Sequence, residues 1–176
     1  MHRATALGVL LTAMVLVGTA LPAQALPDFR DVPTRWENPR PATPTPRVVG
    51  LRWARHDHFD RVVVVLRGAR PDYRTLFPDR LTYDPSGKPV PLRGRHRTYL
   101  VLRPAVTYGT AGESFYVGRR LVRPDLPALR GIALTGSWEG DTSFGFSSRT
   151  RHYRVLTLTR PSRVVIDFQH PGVSRP

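Results

Sequence analysis

From Arg47 onward every apolar run is short, and each is closed by glycine, proline or aspartate; none longer than ten residues keeps a helical period. Val49, Leu51 and Trp53 alternate with Gly50, Arg52 and Arg55. Residues 59–66 (FDRVVVVL) form a β-branched run bounded by Asp57-His58 and Gly68. Residues 99–102, 115–117, 132–138, 142–148, 153–159 and 163–168 repeat the pattern, and Asp84-Pro85-Ser86-Gly87 carries turn residues. Alternation with period two places one side of each run in a core, and spacing of this kind between turns is the pattern of a sandwich or barrel. The expected fold is therefore all-β, a single-domain β-sandwich with short strands and little helix, at most one helical turn over residues 124–129. The chain has no cysteine, so no disulfide supplements the core and no thiolate chemistry is open to it.

The first 25 residues differ from the rest. His2 and Arg3 precede an uncharged apolar stretch over residues 4–21, followed by Pro22 and Ala23-Gln24-Ala25. This is the pattern of a Sec-type signal peptide, cleaved after Ala25, and it predicts a secreted protein of the extracytoplasmic envelope. Residues 26–46 contain six prolines, which exclude a regular helix or central strand. They read as a Pro-rich linker, a semi-rigid tether; Phe29 and Trp36 leave open an ordered strap instead. The expected organisation is leader 1–25, linker 26–46, β-sandwich 47–171 and tail 172–176.

The chain carries 27 Lys+Arg against 13 Asp+Glu, a formal charge of +14, and Lys88 is its one lysine. Outside a cell such a charge draws a protein toward polyanions, here an anionic cell-wall polymer or, peripherally, a membrane surface. No nucleic-acid-binding motif accompanies it.

Three clusters could carry chemistry. Arg55, His56, Asp57, His58, Phe59, Asp60 and Arg61 hold two imidazoles and two carboxylates within five residues. Zinc could use them, but two arginines in the segment would repel a cation, and no metal or other cofactor is expected. The structural alternative is a polar loop in which Asp57 or Asp60 accepts backbone hydrogen bonds and Asp60 or Arg61 pairs across strands. The second cluster is Gly136-Ser137-Trp138-Glu139-Gly140-Asp141-Thr142. An exposed indole beside carboxylates can hold a sugar ring, the ring face stacking while carboxylates accept hydroxyl protons. Large aromatics are usually buried, so the sequence favours Trp138 packed in the core. The third is Arg93, Arg95 and Arg97 around His96, a solvated loop or a grip on phosphate or carboxylate through guanidinium forks. Arg119, Arg120, Arg123, Arg149, Arg151, His152 and Arg154 would add to it if the fold gathered them. No phosphate loop, dinucleotide glycine pattern or metalloprotease helix occurs, and no catalytic residue is assigned.

HDHFDRVVVVLRG, the Gly-Ser-Trp-Glu-Gly-Asp-Thr loop and YRVLTLTRPSRVVIDFQH, in that order and spacing, resemble the AMIN-like domain of exported actinobacterial proteins, over about residues 47–171. The closing PSRVVID is also similar to the end of the AMIN domain of cell-wall amidases and secretin components. The matching positions are Arg55, His56, Asp57, Phe59, Asp60, Arg61, Gly136, Trp138, Glu139, Gly140, Arg163 and Asp167. The resemblance implies a β-sandwich that targets the envelope rather than a catalyst. Many relatives look like lipoproteins, but the cysteine that would carry a lipid is absent here.

The expected function is thus a monomeric, non-catalytic envelope-binding module for peptidoglycan or an anionic wall polymer, gripping through Arg55, His56, Asp57, Asp60, Arg61, Trp138, Glu139, Asp141, Arg93, Arg95 and Arg97. One rival is docking onto another envelope protein through a strand edge. Another is a wall-glycan hydrolase with Glu139, Asp141 or Asp57 as acid or base.

Overall fold

The computed structural model describes residues 26–173. The leader, its cleavage site and the last three residues of the tail lie outside this range. Twelve strands are present among the described residues: β1 (Arg35–Trp36), β2 (Arg47–Arg55), β3 (Phe59–Arg67), β4 (Asp72–Leu76), β5 (Thr82–Tyr83), β6 (Lys88–Pro89), β7 (His96–Arg103), β8 (Leu121–Val122), β9 (Leu129–Trp138), β10 (Asp141–Ser148), β11 (Tyr153–Leu158) and β12 (Arg163–Gln169). They form a six-stranded sheet ordered β1-β4-β7-β10-β9-β8, a four-stranded sheet ordered β11-β12-β3-β2, and a β5-β6 hairpin. All the strand pairings are antiparallel.

The core lies between the two large sheets. Along β3, Asp60, Val62, Val64 and Leu66 are buried while the residues between them are half-buried. Val62, Val64 and Leu66 join Val164, Ile166 and Phe168 of β12 and meet Leu100, Leu102, Phe144 and Phe146 of the opposite sheet. Each of these side chains contributes about 1.5–3 kcal/mol by leaving water. The similar segments DRVVV and SRVVI of the sequence are neighbours here, the paired central strands β3 and β12.

Two expectations need correction. Residues 124–129 make no helical turn; the amides of Ala128 and Leu129 instead donate to the buried carboxylate of Asp60. Residues 26–46 are not a free tether. Arg30 exchanges backbone hydrogen bonds with Tyr153 at 2.7 and 2.8 Å. β1 then pairs with β4, and Tyr153 Oη reaches Val32 O and Thr34 Oγ1. The segment is a strap that closes one flank of the sandwich, from the β11 edge to the β4 edge. Phe29 packs near Phe59 and under Arg154, and Trp36 stacks on Tyr73. Prolines suit this course because an outer edge leaves their missing N–H unneeded.

Bulges displace the strand phases from strict alternation. In β2, Val48 pairs with Leu66 but Gly50 pairs with Val65, so Val48 rather than Val49 enters the core beside Leu51. In β9, register shifts fall at Thr135 and at Arg130, and the first of these decides where Trp138 points.

Candidate functional site

Strict alternation over 132–138 would put Trp138 on the same face as Ile132 and Leu134, in the core. The structure has one extra residue: Leu134 pairs with Phe144 while Gly136 pairs with Ser143, leaving Thr135 as the bulge. A bulge shifts the following side chains by one position. Leu134 therefore packs inward, and Gly136 and Trp138 face out. Trp138 is 57% exposed, which overturns its expected burial. Glu139 (φ 48°) and Gly140 (φ 81°) make the two-residue turn, and two positive φ values in a row are the signature of a type I′ hairpin, to which glycine is best suited. Arg103, at the end of β7, binds both carboxylate oxygens of Asp141, and this pairing raises the arginine's pKa. The fork fixes the first residue after the turn.

Beside the hairpin, residues 81–92 fold over part of the outer face of the six-stranded sheet. Leu81 and Val90 pack there on Ala133, with Tyr83, Leu92 and Tyr99 around them. The flap sits this close because glycine lies beneath it. A Cβ on Gly136 would stand 2.8 Å from Asp84 Cβ, and one on Gly145 2.9 Å from Leu81 Cδ2. Tyr99 Oη is shared between Thr82 O and Asp84 Oδ2, and burial first of all pushes this phenol's pKa up, keeping the proton that makes those bonds.

The part of the sheet left uncovered is a cleft of about 380 Å³. Leu76, Pro85, Tyr99, Arg74, Arg103 and Trp138 line it, with Glu139 at its rim. A second depression of about 240 Å³ adjoins it, sharing Arg74, Val101 and Arg103 and adding Trp36 and Tyr73. Together they make a groove with an indole at the hairpin end and guanidiniums beyond it; Trp36 borders the second depression only from the β1 edge, its indole turned with Tyr73 to the core side of the sheet. Aromatic faces, fixed polar side chains and partial apolar lining are what a sugar-containing polymer requires. Asp141, a candidate acid or base, has both oxygens held by Arg103. Arg74, Tyr99 and Arg103 were not singled out from the sequence. The signal was present: in β7 the positions Arg97, Tyr99, Val101 and Arg103 alternate with buried Thr98, Leu100 and Leu102.

The Arg55–Arg61 segment lies elsewhere. Asp60 accepts from two amides at the start of β9, whereas Trp138 ends that strand. Nine strand steps separate them, about 30 Å, so the two clusters cannot grip one small ligand. Asp60 is fully buried; Oδ2 holds the amides of Ala128 and Leu129 at 2.7 and 2.8 Å, and Oδ1 lies 2.9 Å from His170 Nε2. Asp60 is thus a fold residue and is withdrawn as a binding residue. Arg61 is corrected likewise: its guanidinium forks onto buried Asp167 at 2.7 and 2.8 Å. Arg154 binds the same carboxylate from the other side, through Nε at 2.8 Å. His56 stacks on Phe59 at 4.6 Å, and Arg55, His56 and Asp57 are exposed. Among the described residues no three His, Cys, Asp or Glu side chains gather as metal ligands.

The arginine run is divided. Arg93 joins Arg123 and Arg130 around a wide cleft under the far end of the flap. Arg97 is half-buried on β7 opposite Ser147. Arg95 stands near His96, Arg151 and His152. Burial, then the charges of Arg151, Arg95 and His152, lower the pKa of His96. The unfolded chain therefore takes this proton more readily, and stability falls as pH drops below about 6.5 toward the lower folded value. His96→Gln removes that component, so the thermal midpoint of the variant changes less between pH 7.5 and 5 than that of the wild type.

Residues 46–170 match the AMIN-like domain. The chain belongs to the AMIN-like domain family. No curated protein and no solved structure matches it. Within this AMIN-like domain the positions of the family pattern divide by what they touch. Asp60, Arg61 and Asp167 are tied up inside the fold. Gly136 makes room for the flap and Gly140 makes the turn. Trp138 and Glu139 face solvent at the groove.

Proposed function

We propose that this AMIN-like domain is an exported, non-catalytic module of the cell envelope that binds a wall polymer, peptidoglycan or an anionic polymer attached to it, in the groove that runs from Trp138 past Arg103 to Arg74. The reading rests above all on the solvent-facing indole of Trp138 at the mouth of a cleft on a sheet face. A large aromatic held out of the core by a bulge has no packing role to explain it, whereas stacking on a sugar ring uses that geometry directly. Arg74 and Arg103 in the floor suit carboxylates of the stem peptides or phosphates of an attached polymer. The net positive charge of the chain adds long-range attraction. The leader delivers the domain to this setting.

The test is sedimentation with purified peptidoglycan. Trp138→Ala weakens binding roughly 3- to 10-fold, since an aromatic contact of this kind is worth about 0.5–1.5 kcal/mol beyond the area it buries. Its thermal midpoint stays within about a degree of the wild type, because exposed side chains carry little stability. Raising salt weakens both proteins through the diffuse charge. Equal binding by Trp138→Ala and wild type would remove the groove from the function.

A further inference from the structure

The two flanks of the sandwich are closed differently. On one, the strap runs as an extended chain from the edge of β11 to the edge of β4 and bonds to both through its backbone. On the other, between β2 and β8, cover is incomplete. The first half of β2 is met by residues 106 and 117, where Val48 N–H donates to Val106 O and Val117 N–H to Val49 O. After Val117 the chain leaves, and among the described residues nothing pairs with residues 52–55 on that side.

The hydrogen-bond phase shows what this edge offers. His56 N–H donates to Phe59 O, so residues 56 and 59 are a bonded pair. Antiparallel pairs alternate between bonded and non-bonded, and counting back through the register assigns Ala54 and Arg52 to β3. Leu51, Trp53 and Arg55 therefore turn both N–H and C=O away from β3; those of Trp53 and Arg55 face the open side, while the Leu51 N–H belongs to the Gly50–Val117 bridge. Their side chains point toward the core layer, opposite Val64, Val62 and Asp60. Trp53 lies 41% exposed in a mouth of about 430 Å³ with Leu121, Val122, Pro124, Arg119 and Arg123. Neighbouring Val117 is 81% exposed. Arg55, Arg119 and Arg123 are exposed, and none is in an ion pair among the described residues.

We propose that this edge is a second binding site, which takes an extended acidic peptide segment of a partner protein as an added strand on β2, with an apolar side chain of that segment against Trp53. The occupant is a peptide because the free groups are those of a sheet ladder. It is acidic because Arg119 and Arg123 line the mouth, neither in an ion pair, and no carboxylate lines it; Arg123 donates one N–H to Pro91 O. The strap shows the same solution within the chain, an extended segment closing the gap between the sheets. This site is independent of the Trp138 groove, and either can fail without the other.

The test pans a displayed library of random ten-residue peptides on the purified protein and measures hydrogen exchange with the best binder. Enriched sequences are acidic and rich in β-branched residues. They protect the amides of Trp53 and Arg55, which exchange quickly in the free protein. Trp53→Ala weakens the best binder about tenfold or more. Arg55→Pro does the same, since proline removes an outward N–H while sparing the bonds to β3. Arg55→Gln, which keeps that N–H, stays within about threefold of wild type. The Arg55 pair and the exchange data carry the test should Trp53→Ala fold poorly. The proposal is overturned if no peptide is enriched, if enriched peptides bind Arg55→Pro as well as Arg55→Gln, or if binding leaves the two amides unprotected. Binding of soluble polyphosphate at this edge in place of peptides, without amide protection, overturns it equally.

Discussion

Asp60→Ala is expected to lower the thermal midpoint by about 10–15 °C. Asp60 is the one charged side chain on the inward row of β3, in line with Val62, Val64 and Leu66. Its carboxylate joins three pieces of chain: β3, the start of β9 through the amides of Ala128 and Leu129, and the C-terminal segment through His170. Alanine leaves two buried amides and an imidazole without a partner. Each such loss costs about 1–3 kcal/mol, and a total of about 3–5 kcal/mol corresponds to that fall in a domain of this size. Asp60→Asn keeps the shape but turns an amide N–H₂ toward donors, so it recovers only part. Thermal unfolding followed by circular dichroism measures both. A midpoint within about 2 °C of wild type would show that the carboxylate does not tie the sandwich end together.

Asp167→Ala should be comparably severe, for a different reason. Asp167 lies between Arg61 and Arg154, in register across β3, β12 and β11. It is fully buried on the outer face of the four-stranded sheet, under Phe29 and Phe59. Without the carboxylate two guanidiniums are left facing each other. The side chain of Arg61 is 24% exposed and can turn to water; that of Arg154, at 10%, cannot. Breaking a buried pair from one side costs about 3–5 kcal/mol, much of it the penalty of the stranded charge. It follows that Asp167→Ala combined with Arg154→Met is more stable than Asp167→Ala alone. Arg154 also donates to Pro27 O and sits over Phe29, so the single variant should loosen the start of the strap and expose it to proteolysis. A double variant less stable than the single one would mean that the pair stabilises by attraction rather than by satisfying a charge already buried.

The family pattern thus mixes two kinds of residue that sequence alone does not separate. An Asp-Arg dipeptide before a β-branched run reads as a polar loop end, and both members could have faced a ligand. The strand phase put Asp60 inward, and cross-strand register put Arg61 beside Asp167. Neither fact is local. The strands themselves were legible because turn residues bound them and alternation marks one face. β3, β10, β11 and β12 fall close to where residues 59–66, 142–148, 153–159 and 163–168 place them. What was not legible depends on single inserted residues. One bulge at Thr135 reverses the side on which Trp138 emerges, and one at Val49 exchanges Val48 for Val49 in the core. The strap was hidden for another reason: six prolines describe an extended chain equally well whether it is free or laid against an edge, and only the seats for Phe29 and Trp36 on the folded domain decide. The groove combines Arg74 from β4, Tyr99 and Arg103 from β7 and Trp138 from β9, strands that the sheet order β4-β7-β10-β9 brings close although they are far apart in sequence.

The chain has three tryptophans, and each reports on a different place: Trp138 at the hairpin end of the groove, Trp36 in the strap, stacked on Tyr73 on the core side of the sheet, and Trp53 in the opposite flank. Titrating ¹⁵N-labelled protein with soluble peptidoglycan fragments and following the three indole N–H signals therefore locates the wall ligand directly. Proposed binding in the groove predicts a large shift of the Trp138 signal, with those of Trp36 and Trp53 little moved. A Trp138 signal that stays still while the protein binds the fragments would contradict it.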